Sequence, residues 1–172
     1  MSLIALADEF EREIIKGRAR FIAELNESFR DYSIKGANFD LYIRGQTRSK
    51  GFALSKFFAW TALPNYRVAL YGRVVRDAGQ STRRTILELV DLIRSEIKEN
   101  DLKWAWLVLF ADEDLPTNVQ NLVERFDINE VGIGVLNANS GKLLHSNNLV
   151  GRSLKRYMRV DRLVRRLARK TP

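Results

Sequence analysis

The sequence predicts a single α/β domain in which a mixed central sheet is sandwiched by helices. The first observation is the order of periodic segments between residues 67 and 136, which is strand, helix, strand, helix, strand with short connections. The second is the middle strand, residues 103–111, where both alternating sets of side chains are apolar. A strand of this kind is covered by helices on each face. The third is size, since 172 residues with 45% hydrophobic content are enough for one domain with a substantial core.

The segments before this unit predict a helix followed by strands. Residues 6–30 are predicted to form one long helix because apolar side chains recur there at helical spacing. They are Phe10, Ile14, Gly17, Phe21 and Leu25. Residues 39–44 alternate like a half-buried strand, with Asp40, Tyr42 and Arg44 on its polar face. Residues 51–60 fit neither period cleanly, and we favour a strand there over a short helix.

Within the central unit, each segment has its own local signal. Residues 67–75 predict a strand, and residues 131–136 predict another that turns into residues 142–144. Ser81 or Thr82 is a suitable N-cap for a helix that ends near Asn100. Residues 116–126 predict a shorter helix.

The C-terminal segment predicts a basic helix packed on the same domain. From Ser153 onward, apolar residues recur at helical spacing and face the body of the protein. They are Leu154, Tyr157, Val160, Val164, Leu167 and Ala168. We therefore assign residues 1–150 to the α/β domain and residues 151–172 to the basic C-terminal helix.

Positive charge is concentrated in two segments. Residues 151–172 hold nine basic side chains against Asp161 alone, so the tail carries the whole net charge of +8. No acidic residue occurs between Asp40 and Asp77, an interval that contains seven basic residues. Segregated cations of this kind are typical of nucleic-acid-binding proteins. The candidate contacts are Arg44, Arg48, Lys50, Arg152, Lys155, Arg159, Arg162 and Arg166.

Each basic segment also has a simpler interpretation. The tail is compatible with a solvated helix face or with a docking site for an acidic partner. In the first segment, the functional interpretation is that Phe52, Phe58 or Trp60 stacks on unpaired bases. Aromatic residues in a strand are more often part of the core, and we favour that interpretation.

The composition excludes several classes of site and partner. The absence of cysteine excludes disulfides, thiolate metal sites and cysteine nucleophiles. The lack of a long apolar run or a leader leads us to expect a cytoplasmic protein without a membrane partner.

Gly132 and Gly134 lie within a strand, so they do not form a dinucleotide-binding turn. Residues 112–114 are three acids after a strand, and we favour helix capping there over cation binding.

The predicted element order resembles that of the restriction-endonuclease-like, or PD-(D/E)XK, nucleases. The shared order is a long acidic helix, strands, a helix, a central strand, a helix and a strand. Residues 107–136 are similar to archaeal members of this group, because an acidic loop, a helix beginning at Pro116 and a glycine-containing strand follow one another. The resemblance covers the layout of residues 6–145 and implies a nuclease-like fold.

The resemblance also implies a set of site residues. In these nucleases a helix glutamate, a strand aspartate and a Glu-x-Lys pair hold magnesium and activate water. Glu9 or Glu13 would be the helix acid, and Asp40 would be the strand acid and candidate metal ligand. Tyr71 and Arg73 occupy the Glu-x-Lys positions, where Arg73 keeps the charge but a tyrosine cannot replace a carboxylate at neutral pH. The candidate catalytic residues are therefore Glu13, Asp40 and Arg73, in a degenerate site.

We accordingly expect a nucleic-acid-binding protein with a nuclease-like fold and a degenerate or absent hydrolytic site. One alternative is a protein-interaction or assembly domain whose basic tail docks on an acidic partner or on its own acidic helix, residues 8–13. Another is an active metal-dependent nuclease with a displaced carboxylate. No cofactor is expected, except magnesium in that last case. A homo-oligomer is compatible with the sequence.

Overall fold

The computed structural model of the protein describes residues 2–47 and 66–168. Six strands and five α-helices make up this part of the chain. The strands are β1 (Glu24–Ile34), β2 (Ala37–Gln46), β3 (Arg67–Val74), β4 (Leu102–Ala111), β5 (Val131–Asn137) and β6 (Leu143–His145). The helices are α1 (Leu3–Glu13), α2 (Arg83–Glu99), α3 (Thr117–Arg125), α4 (Leu149–Arg156) and α5 (Val160–Ala168).

The strands form one mixed sheet with the order β1-β2-β3-β4-β5-β6. The pairs β3–β4 and β4–β5 are parallel, and each is joined by a helix, α2 or α3. The pairs β1–β2, β2–β3 and β5–β6 are antiparallel. The predicted single α/β domain with a mixed sheet is thus confirmed.

Both faces of the sheet are covered by helices. On one face, Trp104, Trp106, Val108 and Phe110 of β4 pack in a core with α1, α4 and α5. On the other face, residues of β4 that include Leu107 pack with α2 and α3. The sequence predicted this division of β4, because both of its alternating sets of side chains are apolar.

The helix of the central unit begins where its capping residue predicts. The hydroxyl of Thr82 accepts a hydrogen bond from the backbone N–H of Thr85 (3.1 Å), and α2 starts at the next residue, Arg83. Asn100 is the C-cap. Since capping is a local interaction, the sequence contains the whole signal for both helix ends.

The predicted helix over residues 6–30 is wrong beyond residue 18. Helix α1 ends at Glu13 and continues as a π-helical turn, Ile14–Arg18, in which Gly17 has a φ of 94°. This left-handed conformation suits glycine and ends the helix. Strand β1 follows at Glu24 as an edge strand with mostly exposed side chains. Its few apolar residues happened to continue the helical period of α1.

The C-terminal segment forms two helices where one was predicted. Helix α4 begins at Leu149, because the side chain of Asn148 accepts a hydrogen bond from the backbone N–H of Gly151 (2.7 Å). It ends at Arg156, and α5 begins at Val160. The predicted boundary between residues 150 and 151 therefore falls inside α4.

Helix α4 lies unusually close to strand β5. A Cβ atom placed on Gly132 would be 2.5 Å from the backbone nitrogen of Gly151. A Cβ atom on Gly134 would be 2.5 Å from Leu154. The glycines of β5 thus allow the backbone of α4 to pack directly on the sheet.

Across the described residues, no helix combines the length and the apolar character needed to cross a membrane.

Candidate nucleic-acid interface

The C-terminal cations lie on the outer side of α4 and α5. The inward side chains of these helices, among them Leu154, Val160 and Val164, are buried in the core that also contains α1. The helical spacing of the sequence predicts this division into an inner and an outer side. The exposed cations are Arg152, Lys155, Arg156, Arg159, Arg162, Arg165 and Arg166.

Two of these arginines are paired with carboxylates of the protein. The guanidinium of Arg166 lies 3.5 Å from the carboxylate of Glu13 and 4.0 Å from that of Glu9, both on α1. Arg165 pairs with Asp161 of its own helix. Arg166, a predicted nucleic-acid contact, therefore has an internal partner that joins α5 to α1.

The other tail cations that the structure describes make no ion pair with a carboxylate of the described residues. Arg152 donates hydrogen bonds to the side-chain oxygen of Asn147, which is neutral. The guanidinium of Arg156 lies 5.5 Å from the ring centroid of Tyr157. Three further cations make no ion pair with any described residue. They are Lys155, Arg159 and Arg162.

The cations do not follow one straight helix axis. A single helix would space them along one line at about 1.5 Å per residue. Arg159 has a φ of 52°, so the chain changes direction between α4 and α5. Lys155 consequently lies on one helix and Arg162 on the next, with Arg159 at the junction. Arg169, which would continue such a line on a single helix, lies outside the described residues.

A second group of cations meets the tail at this junction. Lys16, Arg18 and Arg20 follow α1, and they line one cleft together with Arg159. The cleft has a volume of about 440 Å³. Arg18 fixes the two segments to each other, because its guanidinium donates to the backbone carbonyl of Met158 (3.4 Å) and to Glu13. Residues 140 positions apart in the sequence thus share one surface.

The one carboxylate in this cleft is largely neutralised by its neighbours. Glu13 accepts a hydrogen bond from Arg18, and this bond is the main reason why its pKa lies below the ordinary value. The positive charges of Arg166 and Lys16 lower the pKa further.

Lys16, Arg20 and Arg159 make no ion pair in the described part of the chain. We call Lys16, Arg20, Lys155, Arg159 and Arg162 the cationic surface.

An exposed aromatic ring lies beside these cations. The side chain of Phe21 is 60% exposed and lines the same cleft. The guanidinium of Arg20 lies 5.5 Å from the centroid of its ring. The helical spacing predicted that Phe21 lies on the buried side of a long helix, so this exposed ring was not expected from the sequence. A signal was present, because residues 14–23 contain three cations and no acid.

The basic segment predicted around Arg44 differs from the tail. Arg44 is hydrogen-bonded to Glu27 on β1, which raises the pKa of its guanidinium, and it lies over the ring of Phe29. Its charge therefore has an internal partner, and it lines a different cleft from the tail cations. Arg48 and Lys50 lie outside the described residues. So do the aromatic residues predicted to stack on bases or to pack in the core, which are Phe52, Phe58 and Trp60.

The structure brings together two of the three candidate catalytic residues. Asp40 and Arg73 line one cleft of about 570 Å³ at the carboxyl end of β3. Glu13 lines the separate cleft described above. The carboxylate of Asp40 accepts a hydrogen bond from the backbone N–H of Val74 (2.7 Å), so it holds β2 against β3.

The residue at the first Glu-x-Lys position is fully buried. Tyr71 is 0% exposed, and its ring packs 5.0 Å from that of Tyr42 and 5.2 Å from that of Phe39. Burial raises the pKa of Tyr71 far above its ordinary value, so the phenol stays neutral. Tyr42 is itself 7% exposed, which corrects the prediction that it shares a polar face with Asp40 and Arg44.

These residues do not fit a magnesium site of the nuclease type. Among the described residues, no three histidine, cysteine, aspartate or glutamate side chains are grouped closely enough to hold a metal ion. Asp112, Glu113 and Asp114 do not cap α3 either, since its N-cap is Pro116. Asp114 accepts a hydrogen bond from the side chain of Asn137 (2.7 Å), which joins the loop after β4 to the end of β5.

The fold and the site define an α/β protein with a mixed six-stranded sheet and a group of exposed cations that make no ion pair with a described residue. The chain matches no protein-family model, and comparisons with curated proteins and with solved structures give no significant match. The resemblance to restriction-endonuclease-like proteins stays a prediction from the sequence.

Proposed function

We propose that the protein binds nucleic acid through the cationic surface and does not hydrolyse it. One observation carries the proposal. Lys16, Arg20 and Arg159 are far apart in the sequence but line one cleft, and none of them makes an ion pair with a described residue. Lys155 and Arg162 lie on the two helices that meet at Arg159, and they too are exposed and without an ion pair among the described residues. Unpaired like charges held together repel one another, and a polyanion relieves that repulsion.

The chemistry of the cations supports nucleic acid as the partner. All five charges are guanidinium or ammonium groups, which are the side-chain groups that bind phosphate oxygens. Three of them lie where α4 ends and α5 begins, with Arg159 between the two helices. Arginine also binds phosphate with two parallel hydrogen bonds. The order of the elements, with a helix and two strands before β3-α2-β4-α3-β5, is compatible with the nuclease-like resemblance.

The proposal predicts the salt dependence of binding. If the five cations of the cationic surface each neutralise one phosphate, log K falls with log salt at a slope of about −4.5 for duplex DNA and about −3.5 for a single strand. Binding is measured by fluorescence anisotropy or mobility shift over a salt series. The probes are duplex, branched and single-stranded DNA and the corresponding RNAs.

A matched pair of variants separates this surface from net charge. The triple variant Lys155→Gln, Arg159→Gln, Arg162→Gln should flatten the slope by about 2 to 3 units and weaken binding about tenfold or more in dilute buffer. The control is Arg83→Gln, Lys98→Gln, Arg125→Gln, which removes the same charge from exposed positions on α2 and α3, across the sheet. Equal effects of the two variants would mean that binding is not localised. Absence of binding to every probe would favour an acidic protein partner instead.

A further inference from the structure

The backbone holds Phe21 outward. Its neighbours Ala19, Ile22 and Ala23 are all buried, with exposed fractions of 1%, 4% and 1%. The backbone N–H groups of Ile22 and Ala23 donate to the carbonyl of Ala19, at 2.8 and 2.9 Å. Phe21 cannot turn inward without withdrawing its neighbours from the core. The ring is therefore fixed on the surface before any partner binds.

An exposed phenylalanine in this position is unfavourable for the isolated protein. Burying such a side chain would normally stabilise the fold, and Phe21 is the most exposed phenylalanine of the described residues. Phe29, the next, is 42% exposed and packs against Tyr42 on the sheet. An exposed ring beside a cleft is suited to stacking against a flat partner.

The surroundings of the ring select an anionic partner. Arg20 lies against the ring, while Lys16 and Arg159 line the cleft beside it. Glu13 makes its ion pairs with Arg18 and Arg166 and forms none with these three cations. The cleft volume of about 440 Å³ is within the range of small-molecule sites.

We infer that Phe21 and the adjoining cleft form a subsite for one unpaired nucleotide of single-stranded nucleic acid. The base stacks on the ring of Phe21, and the flanking phosphates bind Lys16 and Arg159. The inference rests on the proposed function and adds a preference, because a base in a duplex is paired and stacked and does not reach the ring. Any of the four bases would serve, since each has a flat face.

The test compares one substitution on two probes. Phe21→Ala should weaken binding of an oligo-dT of about 15 nucleotides by about 5- to 100-fold. Binding of a duplex at the same salt concentration should change by less than about twofold, because the cations are intact. Phe21→Tyr should restore the affinity for oligo-dT, because a phenol also stacks. Thermal unfolding of each variant verifies that the exposed position leaves the fold unchanged.

Phe29→Ala is the matched control. Phe29 is also an exposed phenylalanine with an arginine beside its ring, but that arginine, Arg44, is paired with Glu27. The control should bind oligo-dT like the parent protein. A Phe21→Trp variant adds a direct readout, since oligo-dT should quench its fluorescence more than that of the parent.

The outcomes separate this inference from the proposed function. If Phe21→Ala binds oligo-dT as tightly as the parent while the tail triple variant loses affinity, the subsite is wrong and nucleic-acid binding stands. If Phe21→Ala weakens duplex and oligo-dT equally, the ring has no role specific to an unpaired base, and the inference is again wrong. If the parent protein binds no probe, both proposals fail.

Discussion

The guanidinium of Arg166 on α5 lies 3.5 Å from the carboxylate of Glu13 on α1, so the two ends of the described chain are joined by charge. Arg18 binds the same carboxylate and also the backbone at Met158. Glu13 is therefore the centre of a network that holds the tail against the first helix. Its side chain is 17% exposed, which limits screening by solvent.

This network predicts a pH dependence of stability. The pKa of Glu13 is lowered in the folded protein, chiefly by its hydrogen bond with Arg18, so its contribution is present above the ordinary pKa of 4.5 and is lost as the pH falls through the lowered value. We expect Glu13→Gln to destabilise the protein by about 1–2 kcal/mol at neutral pH. The difference from the parent should shrink below pH 4.5. Urea denaturation of the parent and the variant at neutral pH and below pH 4.5 measures this difference in the free energy of unfolding.

The control for this experiment is an exposed ion pair. Glu88 pairs with Arg84 on α2, and both side chains are more than half exposed. Glu88→Gln should cost less than about 0.5 kcal/mol at either pH. A Glu13 variant that behaves like the Glu88 variant would contradict the structural role of the network.

The central strand gives the second prediction. Trp106 is fully buried, and its indole N–H donates to the carbonyl of Val150 (2.9 Å) and to the hydroxyl of Ser153 (3.0 Å). Trp106→Ala should destabilise the protein by about 3–5 kcal/mol, as measured by denaturant unfolding. Trp106→Phe keeps an aromatic ring but removes both hydrogen bonds, so it should cost less. A loss below about 1 kcal/mol for alanine would mean that β4 is not covered by α4.

The third prediction concerns the close packing of α4. In an exposed helix, replacing glycine by alanine stabilises by about 1 kcal/mol. At Gly151 a Cβ atom would lie 2.0 Å from the hydroxyl oxygen of Ser146, so we expect Gly151→Ala to destabilise by about 1–3 kcal/mol instead. Lys155→Ala on the outer side of the same helix should change stability by less than about 0.5 kcal/mol. Stabilisation by Gly151→Ala would show that α4 does not pack against Ser146 as described.

Elements with local signals were predicted from the sequence, and elements defined by distant contacts were not. Helix α2 begins beside Thr82 because a single side chain caps it. Strand β1 was missed because an edge strand is held by backbone pairing to β2, which leaves its side chains polar and without a clear period. The glycines of β5 were likewise unexplained, because the reason for them is the approach of a helix that follows in the chain.

The candidate interface could likewise be predicted from the sequence only where the signal is local. Helical spacing alone predicts that Lys155 and Arg162 face outward, and both are exposed. The pairing of Arg166 with Glu13 and the meeting of Lys16 with Arg159 depend on how α1 and α5 pack, which no local pattern specifies. The residues that the nuclease resemblance assigns to one site lie apart, because Glu13 and Asp40 line different clefts. This separation also depends on how the elements pack.

The last prediction concerns catalysis. Asp40 is engaged with the backbone of Val74, and the neighbouring position that would need a carboxylate is the buried Tyr71. We therefore expect no cleavage of plasmid, branched or single-stranded DNA with magnesium or manganese above that of an Asp40→Asn variant. Asparagine is the suitable replacement, because its side-chain oxygen still accepts the hydrogen bond from Val74. Asp40→Ala would leave that N–H group unpaired and destabilise the protein by about 1–3 kcal/mol. A loss of activity in that variant could then result from unfolding. Metal-dependent cleavage by the parent protein that Asp40→Asn abolishes would make Asp40 a metal ligand and the protein a nuclease with a displaced second carboxylate.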